Sequence, residues 1–214
     1  MRFFSLIVCV FSINAFVFAQ VRYQKEIDQF RKQDSISAPP KKAVLFVGSS
    51  SFRLWKDVQG AFPDTKIINR GFGGSTLEDV INHMDNVIFP YQAKQIVIYC
   101  GENDIASGET PQTVLQRFDK LFTAIREKQP RVPVVYVSMK PSPSREKFRE
   151  AFIQGNTLIK EYLAGKKNTT YVDVFTPMLD DSGQPKSDIF LKDNLHMNEK
   201  GYAIWTEALK PVLK

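Results

Sequence analysis

Apolar residues come along this chain in short dense runs, separated by stretches where they recur every three or four positions. The runs Ala43–Val47, Lys66–Asn69, Gln95–Cys100, Val132–Ser138 and Thr170–Val174 lean on Val, Ile and Tyr. They show little alternation of polar and apolar positions, which is the pattern of strands covered on both faces. Between them, Phe52–Gly60, Thr76–Val87, Thr113–Gln129 and Arg145–Leu163 read as helices, and Lys200–Leu209 forms a last helix ahead of Pro211. Thr110-Pro111 offers an N-cap hydroxyl followed by proline at the first helical position, where a missing N–H leaves nothing unpaired. Parallel strands need crossover connections, and here strands and helices take turns. The pattern predicts one domain, a three-layer α/β/α sandwich on a five-stranded parallel sheet.

The pattern differs ahead of the first strand. Met1-Arg2 is a basic start, Phe3–Phe18 is almost wholly apolar, and Val17-Phe18-Ala19 puts small residues at the −3 and −1 positions of a cleavage site. That is the build of a secretory signal peptide, residues 1–19, cut after Ala19. The expected mature protein is exported, periplasmic or secreted, with no stable membrane association once the signal is removed. Residues 20–41 read as an N-terminal helix and linker: Val21 to about Ser35 with Val21, Ile27 and Phe30 at helical spacing, then Pro39-Pro40-Lys41-Lys42. The globular domain is expected over 42–214.

Composition narrows the chemistry. Cleavage would leave Cys100 as the one cysteine, so neither an internal disulfide nor a Cys/His metal cluster can form. Cys100 ends an apolar run and reads as a small buried hydrophobe. The net charge is +6 and the pI near 9.2, but the basic residues are scattered and no aromatic-basic motif accompanies them. A solvated basic surface is expected, and no nucleic acid as partner. Asn168-Thr169-Thr170 fits a glycosylation sequon, which matters only in a eukaryotic secretory route.

In a sheet of this kind ligands bind beyond the carboxyl ends of the strands, so the loops after each strand are the places to look. After the first comes Gly48-Ser49-Ser50-Ser51-Phe52, a tight turn into a helix N-terminus that favours developing negative charge. Some of these serines could simply cap that helix. After the second comes Asn69-Arg70-Gly71-Phe72-Gly73-Gly74-Ser75-Thr76. Thr76 stands where a dinucleotide fingerprint needs its third glycine, and the Gly-Lys-Ser/Thr of a phosphate loop is missing. Such a loop can instead turn a backbone N–H toward an oxyanion, or it can serve only to let Ser75 or Thr76 cap the next helix. After the third, Gly101-Glu102-Asn103-Asp104 offers an amide that can donate to the same oxyanion, or an Asx turn. After the fifth, Asp193 precedes His196 by three residues. A histidine serves a serine as base only when a third group fixes its tautomer, and a carboxylate at that spacing can do so. His83, the other histidine, falls in an expected helix without such an aspartate and reads as a surface or core-edge residue.

These four blocks resemble the GDSL or SGNH hydrolase superfamily, in which a serine, a glycine, an asparagine and a histidine recur in this order. By position the motif serine is Ser50, whose backbone N–H would also serve the oxyanion hole. The motif glycine is Gly74, the motif asparagine Asn103, and Asp193 with His196 matches the family's Asp-x-x-His. The phrases Gly48–Trp55 and Asn69–Thr76 are similar to the branch near platelet-activating-factor acetylhydrolase catalytic subunits and bacterial GDSL esterases. Ser49 stands where the family's Gly-Asp-Ser has aspartate; that aspartate is not the acid of the triad, so the resemblance implies tuning and not loss of activity.

The resemblance implies a flavodoxin-like sheet and a serine esterase with Ser50, Asp193 and His196 as catalytic residues and Ser50, Gly74 and Asn103 as oxyanion hole. No metal and no cofactor is required. With no apolar insertion to form a lid, short acyl groups on a small-molecule or glycan ester are the expected substrates. Pocket walls are expected from Lys140-Pro141-Ser142-Pro143 and Ile105-Ala106-Ser107-Gly108. The rival readings are a non-catalytic carbohydrate-binding protein on the same fold and an acyltransferase using the same acyl-enzyme.

Overall fold

The structure, a computed structural model, describes residues 23–214. The expected signal peptide lies outside the described residues. Helix α1 (Gln24–Ile36) leads into β1 (Val44–Gly48), followed by two short helices, α2 (Ser50–Arg53) and α3 (Val58–Ala61). Then come β2 (Ile67–Gly71), α4 (Leu77–Asn82), α5 (Met84–Val87), β3 (Gln95–Tyr99), α6 (Glu102–Ala106) and α7 (Pro111–Lys128). The chain closes with β4 (Val134–Val137), a 3₁₀ segment (Pro143–Phe148), α8 (Arg149–Ala164), β5 (Thr169–Val172) and α9 (Glu199–Leu209).

All strand pairs are parallel, in the order β2-β1-β3-β4-β5. Successive strand residues face opposite sides, and both sides are apolar. Leu45, Val47, Ile96, Ile98, Val134 and Tyr136 pack with α1, α4, α7 and α8 in one cluster. Val44, Phe46, Val97, Tyr99, Val135 and Val137 pack with Trp55, Trp205 and Leu209 in the other. Two apolar faces on a two-residue period leave no polar position to alternate, which is why the runs read as continuous.

Two expected helices are broken. Phe52–Gly60 divides because Asp57 caps a new helix, its side chain accepting the Gly60 N–H at 3.1 Å. Thr76–Val87 divides at His83, which leaves helical backbone at φ −111°, ψ 8°. His83 is buried, edge-on to the rings of Phe72 at 5.7 Å and Tyr23 at 6.3 Å, so a surface place for it is corrected. The expected helix from Arg145 begins instead as the 3₁₀ segment, with α8 taking over at Arg149. Thr110 and Thr76 both act as N-caps, Thr76 with Asp79 in a capping box.

In this strand order the chain leaves β1 in one direction and β3 in the other, and the crevice between their carboxyl ends is where such sheets bind ligands. Gly48 makes the exit from β1 possible. Its φ is +135°, and a Cβ there would lie 2.0 Å from the Tyr99 carbonyl oxygen. The Ser49 N–H donates to that same oxygen at 3.0 Å, turning the chain so that Ser50 begins α2 over the crevice.

Candidate active site

Ser50, Asn103, Asp193 and His196 come from segments far apart in sequence and meet at this crevice. Ser50 Oγ lies 3.0 Å from His196 Nε2. On the far side of the ring, His196 Nδ1 lies 2.6 Å from Asp193 Oδ2. Asp193 Oδ1 accepts the backbone N–H groups of Leu195 at 3.0 Å and His196 at 2.9 Å, so the carboxylate is clamped by the turn it starts. That turn closes through Asn194 in the left-handed region at φ 54°, with the Leu191 N–H donating to the His196 carbonyl at 2.7 Å. Burial pushes the Asp193 carboxyl up, but the hydrogen bonds from His196 and Leu195 outweigh it and hold it at about 2. An ionised Asp193 accepts the Nδ1–H, which leaves Nε2 with a lone pair toward Ser50.

Asn103 sits across from this pair. Its Nδ2 donates to the Ser75 carbonyl at 3.0 Å and to Ser49 Oγ at 2.6 Å. Gly74 is exposed beside it; a Cβ on Gly74 would come within 3.8 Å of Asn103 Nδ2 and nothing closer. Gly74 thus neighbours the Asn103 amide, which itself reaches Ser49 beside Ser50. Hydrogen-bond donors fixed in advance are what a tetrahedral oxyanion requires.

A buried ionic cluster underlies the site, and it was not foreseen as such from the sequence. Lys140 Nζ lies 3.1 and 3.2 Å from the two oxygens of Glu102, and Arg145 Nη1 donates to Glu102 Oε1 at 3.0 Å. The Tyr99 hydroxyl donates to Glu102 Oε2. Burial pushes the Glu102 carboxyl up, but Lys140 and Arg145 override it and keep it below the usual carboxylate range. Arg145 Nη2 donates onward to Asn103 Oδ1 at 2.7 Å. Glu102 next to Asn103 was visible as a motif; its pairing with Lys140 and Arg145, near 40 positions away, had no local signal.

Ser49, Ser50, Tyr99, Lys140, Arg145 and His196 are among the walls of a small recess. Of the expected Lys140–Pro143 wall only Lys140 lines it, and Ile105–Gly108 does not: α6 turns Ile105 into the core beneath α7, where it is 2 % exposed. Among the described residues no three His, Cys, Asp or Glu side chains converge to hold a metal ion, and no helix is long and apolar enough to cross a membrane.

Most of the chain superposes on proteins of known structure. A Streptococcus pneumoniae protein provisionally described as a platelet activating factor is 22% identical, with TM-score 0.79 over 98% of this chain and 99% of that one. A GDSL-like lipase from Bacteroides thetaiotaomicron is 20% identical, with TM-score 0.72 over 86% and 95% of the two chains. A catalytic mutant of an acetylxylan esterase from Geobacillus stearothermophilus is 14% identical, with TM-score 0.62 over 79% and 93%. These likenesses establish a shared fold. No curated protein sequence matches the chain significantly. Residues 34–204, from the end of α1 to within α9, match one family along their whole length, and the chain belongs to it: the GDSL-like lipase/acylhydrolase family.

Proposed function

We propose that the chain is an exported serine esterase that removes short acyl groups, acetyl above all, from a sugar or glycan ester. The observation that carries this reading is the 3.0 Å approach of Ser50 Oγ to His196 Nε2, with Asp193 behind the imidazole. His196 takes the Ser50 proton as Oγ attacks the acyl carbonyl, and Asp193 holds the tautomer and stabilises the imidazolium. The oxyanion is held by the N–H groups of Ser50 and Gly74 and by the Asn103 amide. His196 then gives its proton to the departing alkoxide, leaving the acyl group on Ser50. Water, deprotonated by His196, attacks the acyl carbonyl; the bond from Oγ to the acyl carbon breaks, Ser50 takes the proton back from His196, and the acyl group leaves as the acid.

The sequence carries no long apolar insertion that could form a lid, which supports a short acyl chain. The acetylxylan esterase among the structural neighbours supports a carbohydrate ester. Export rests on the sequence of residues 1–19 alone. A panel of p-nitrophenyl esters of rising acyl length, run beside Ser50→Ala and fluorophosphonate labelling, tests the reading. Acetate should be turned over fastest, and the label should sit on Ser50. Undiminished turnover by Ser50→Ala would overturn it.

A further inference from the structure

Asn103 has to present nitrogen, not oxygen, to the reacting centre, and the two ends of an amide are nearly the same size. Two neighbours decide the matter here. The Ser75 carbonyl at 3.0 Å requires a donor and so demands Nδ2, whereas the Arg145 guanidinium at 2.7 Å requires an acceptor and so demands Oδ1. With one Nδ2 hydrogen on Ser75, the second is the one that reaches Ser49 Oγ, on the Ser50 side of the site.

We infer that Arg145 is a positioning residue for this reaction: its guanidinium locks and polarises the Asn103 amide so that the N–H resting on Ser49 Oγ is held ready to turn to the oxyanion. The inference rests on the esterase reading above. The fork of Arg145 spans neighbouring residues of α6, Nη1 on Glu102 and Nη2 on Asn103, and a planar guanidinium holds both at once where an ammonium could not. Glu102 in turn is pinned by Lys140 and Tyr99. Only 17% of the Arg145 side chain is exposed, in the wall of the recess. A cationic donor on the amide oxygen draws electron density from the nitrogen and strengthens its N–H as a donor. An isolated buried ion cluster is a weak source of stability, so holding Asn103 is a better account of this one than folding.

A double-mutant cycle tests this. Arg145→Gln should lower kcat on p-nitrophenyl acetate by about tenfold or more, short of the 10²–10³ typical for losing an oxyanion donor outright, with KM little changed. In an Asn103→Ala background the same change should cost almost nothing further, because its route is already gone. Losses that multiply, or a rise in KM at constant kcat, would instead assign Arg145 to the substrate and overturn the inference. Rates are taken per fluorophosphonate-titrated site. Should Arg145→Gln melt below the assay temperature, Arg145→Lys, which keeps the charge beside Glu102 but not the fork, takes its place with the same expectations. Independently of turnover, the Asn103 side-chain amide protons in a ¹H–¹⁵N spectrum should move upfield in the Arg145 variant, and unmoved resonances would overturn the inference. A wild type inert toward every ester would sink the esterase reading, with the amide shift still deciding this one.

Discussion

Glu26 and Gly73 stand 47 residues apart, yet the Gly73 N–H donates to the Glu26 carboxylate at 2.6 Å. The contact ties α1 to the loop that carries Gly74, and Tyr23 closes over the same spot: a Cβ on Gly73 would lie 2.2 Å from its ring. Hydrogen bonds to charged groups contribute about 1.5–3 kcal/mol, and a side chain 30% exposed belongs at or below the low end. Glu26→Ala should therefore lose about 1 kcal/mol in urea denaturation. Its kcat should fall severalfold with KM nearly constant, since the loosened loop supplies the proposed Gly74 donor. A kcat equal to wild type would show that the loop holds its shape without α1.

The sheet was legible because burial on both faces leaves a signature in each strand, and the site loops were legible because parallel topology dictates where to look. The loops that hold Ser50, Gly74 and Asn103 stand out by lying just past apolar runs and His196 by the aspartate three residues before it, while the family resemblance singles out Ser50 and Gly74 within their loops; the structure brings Ser50 and His196 to 3.0 Å. The breaks at Leu54 and His83 were not legible, since apolar periodicity runs on through both: Asp57 caps a new helix from within the expected one, and His83 leaves helical backbone where its ring meets Tyr23 and Phe72. Arg145 reads as the start of a helix; its partners Glu102 and Asn103 follow the neighbouring strand β3, and periodicity says nothing about residues 42 and 43 positions apart.

Asp193→Asn should preserve the fold and remove most activity. Both backbone N–H groups of the turn point at Oδ1, so the asparagine must keep its oxygen there and turn its NH₂ toward His196 Nδ1. That nitrogen must then accept, the ring proton moves to Nε2, and the lone pair facing Ser50 is lost. Steady-state kinetics should show kcat down on the order of 10⁴-fold with melting temperature little changed, as expected when a base is held in the wrong tautomer. A loss under tenfold would mean that Asp193 does not set the tautomer.

The same carboxylate makes stability depend on acid. Asp193 is held at about 2 in the folded protein, below the value of about 3.9 for an aspartate in an unfolded chain. The unfolded state binds the proton first, so the ionised side chain favours folding above about pH 4, and that contribution is lost as pH falls toward 2. Between about pH 5 and pH 2.5, wild type should therefore lose more melting temperature than Asp193→Asn, which cannot titrate. Equal losses would mean that the turn does not hold its carboxylate charged.

Ser49 and Ser50 are adjacent hydroxyls, and their surroundings assign them different work. Ser50 is half-buried and faces His196 Nε2, whereas Ser49 is 3% exposed and its oxygen faces the Asn103 amide at 2.6 Å. Among the described residues no base is hydrogen-bonded to Ser49 Oγ. In Ser49→Ala the Asn103 N–H loses its resting partner and stands open to the oxyanion. That change trades one hydrogen bond, worth about 1 kcal/mol net, so kcat should stay within about fivefold of wild type. Peptide mapping after fluorophosphonate treatment should still place the label on Ser50. A collapse of activity as deep as that of Ser50→Ala, with the protein folded, would move the nucleophile to Ser49 and undo the assignment of the site.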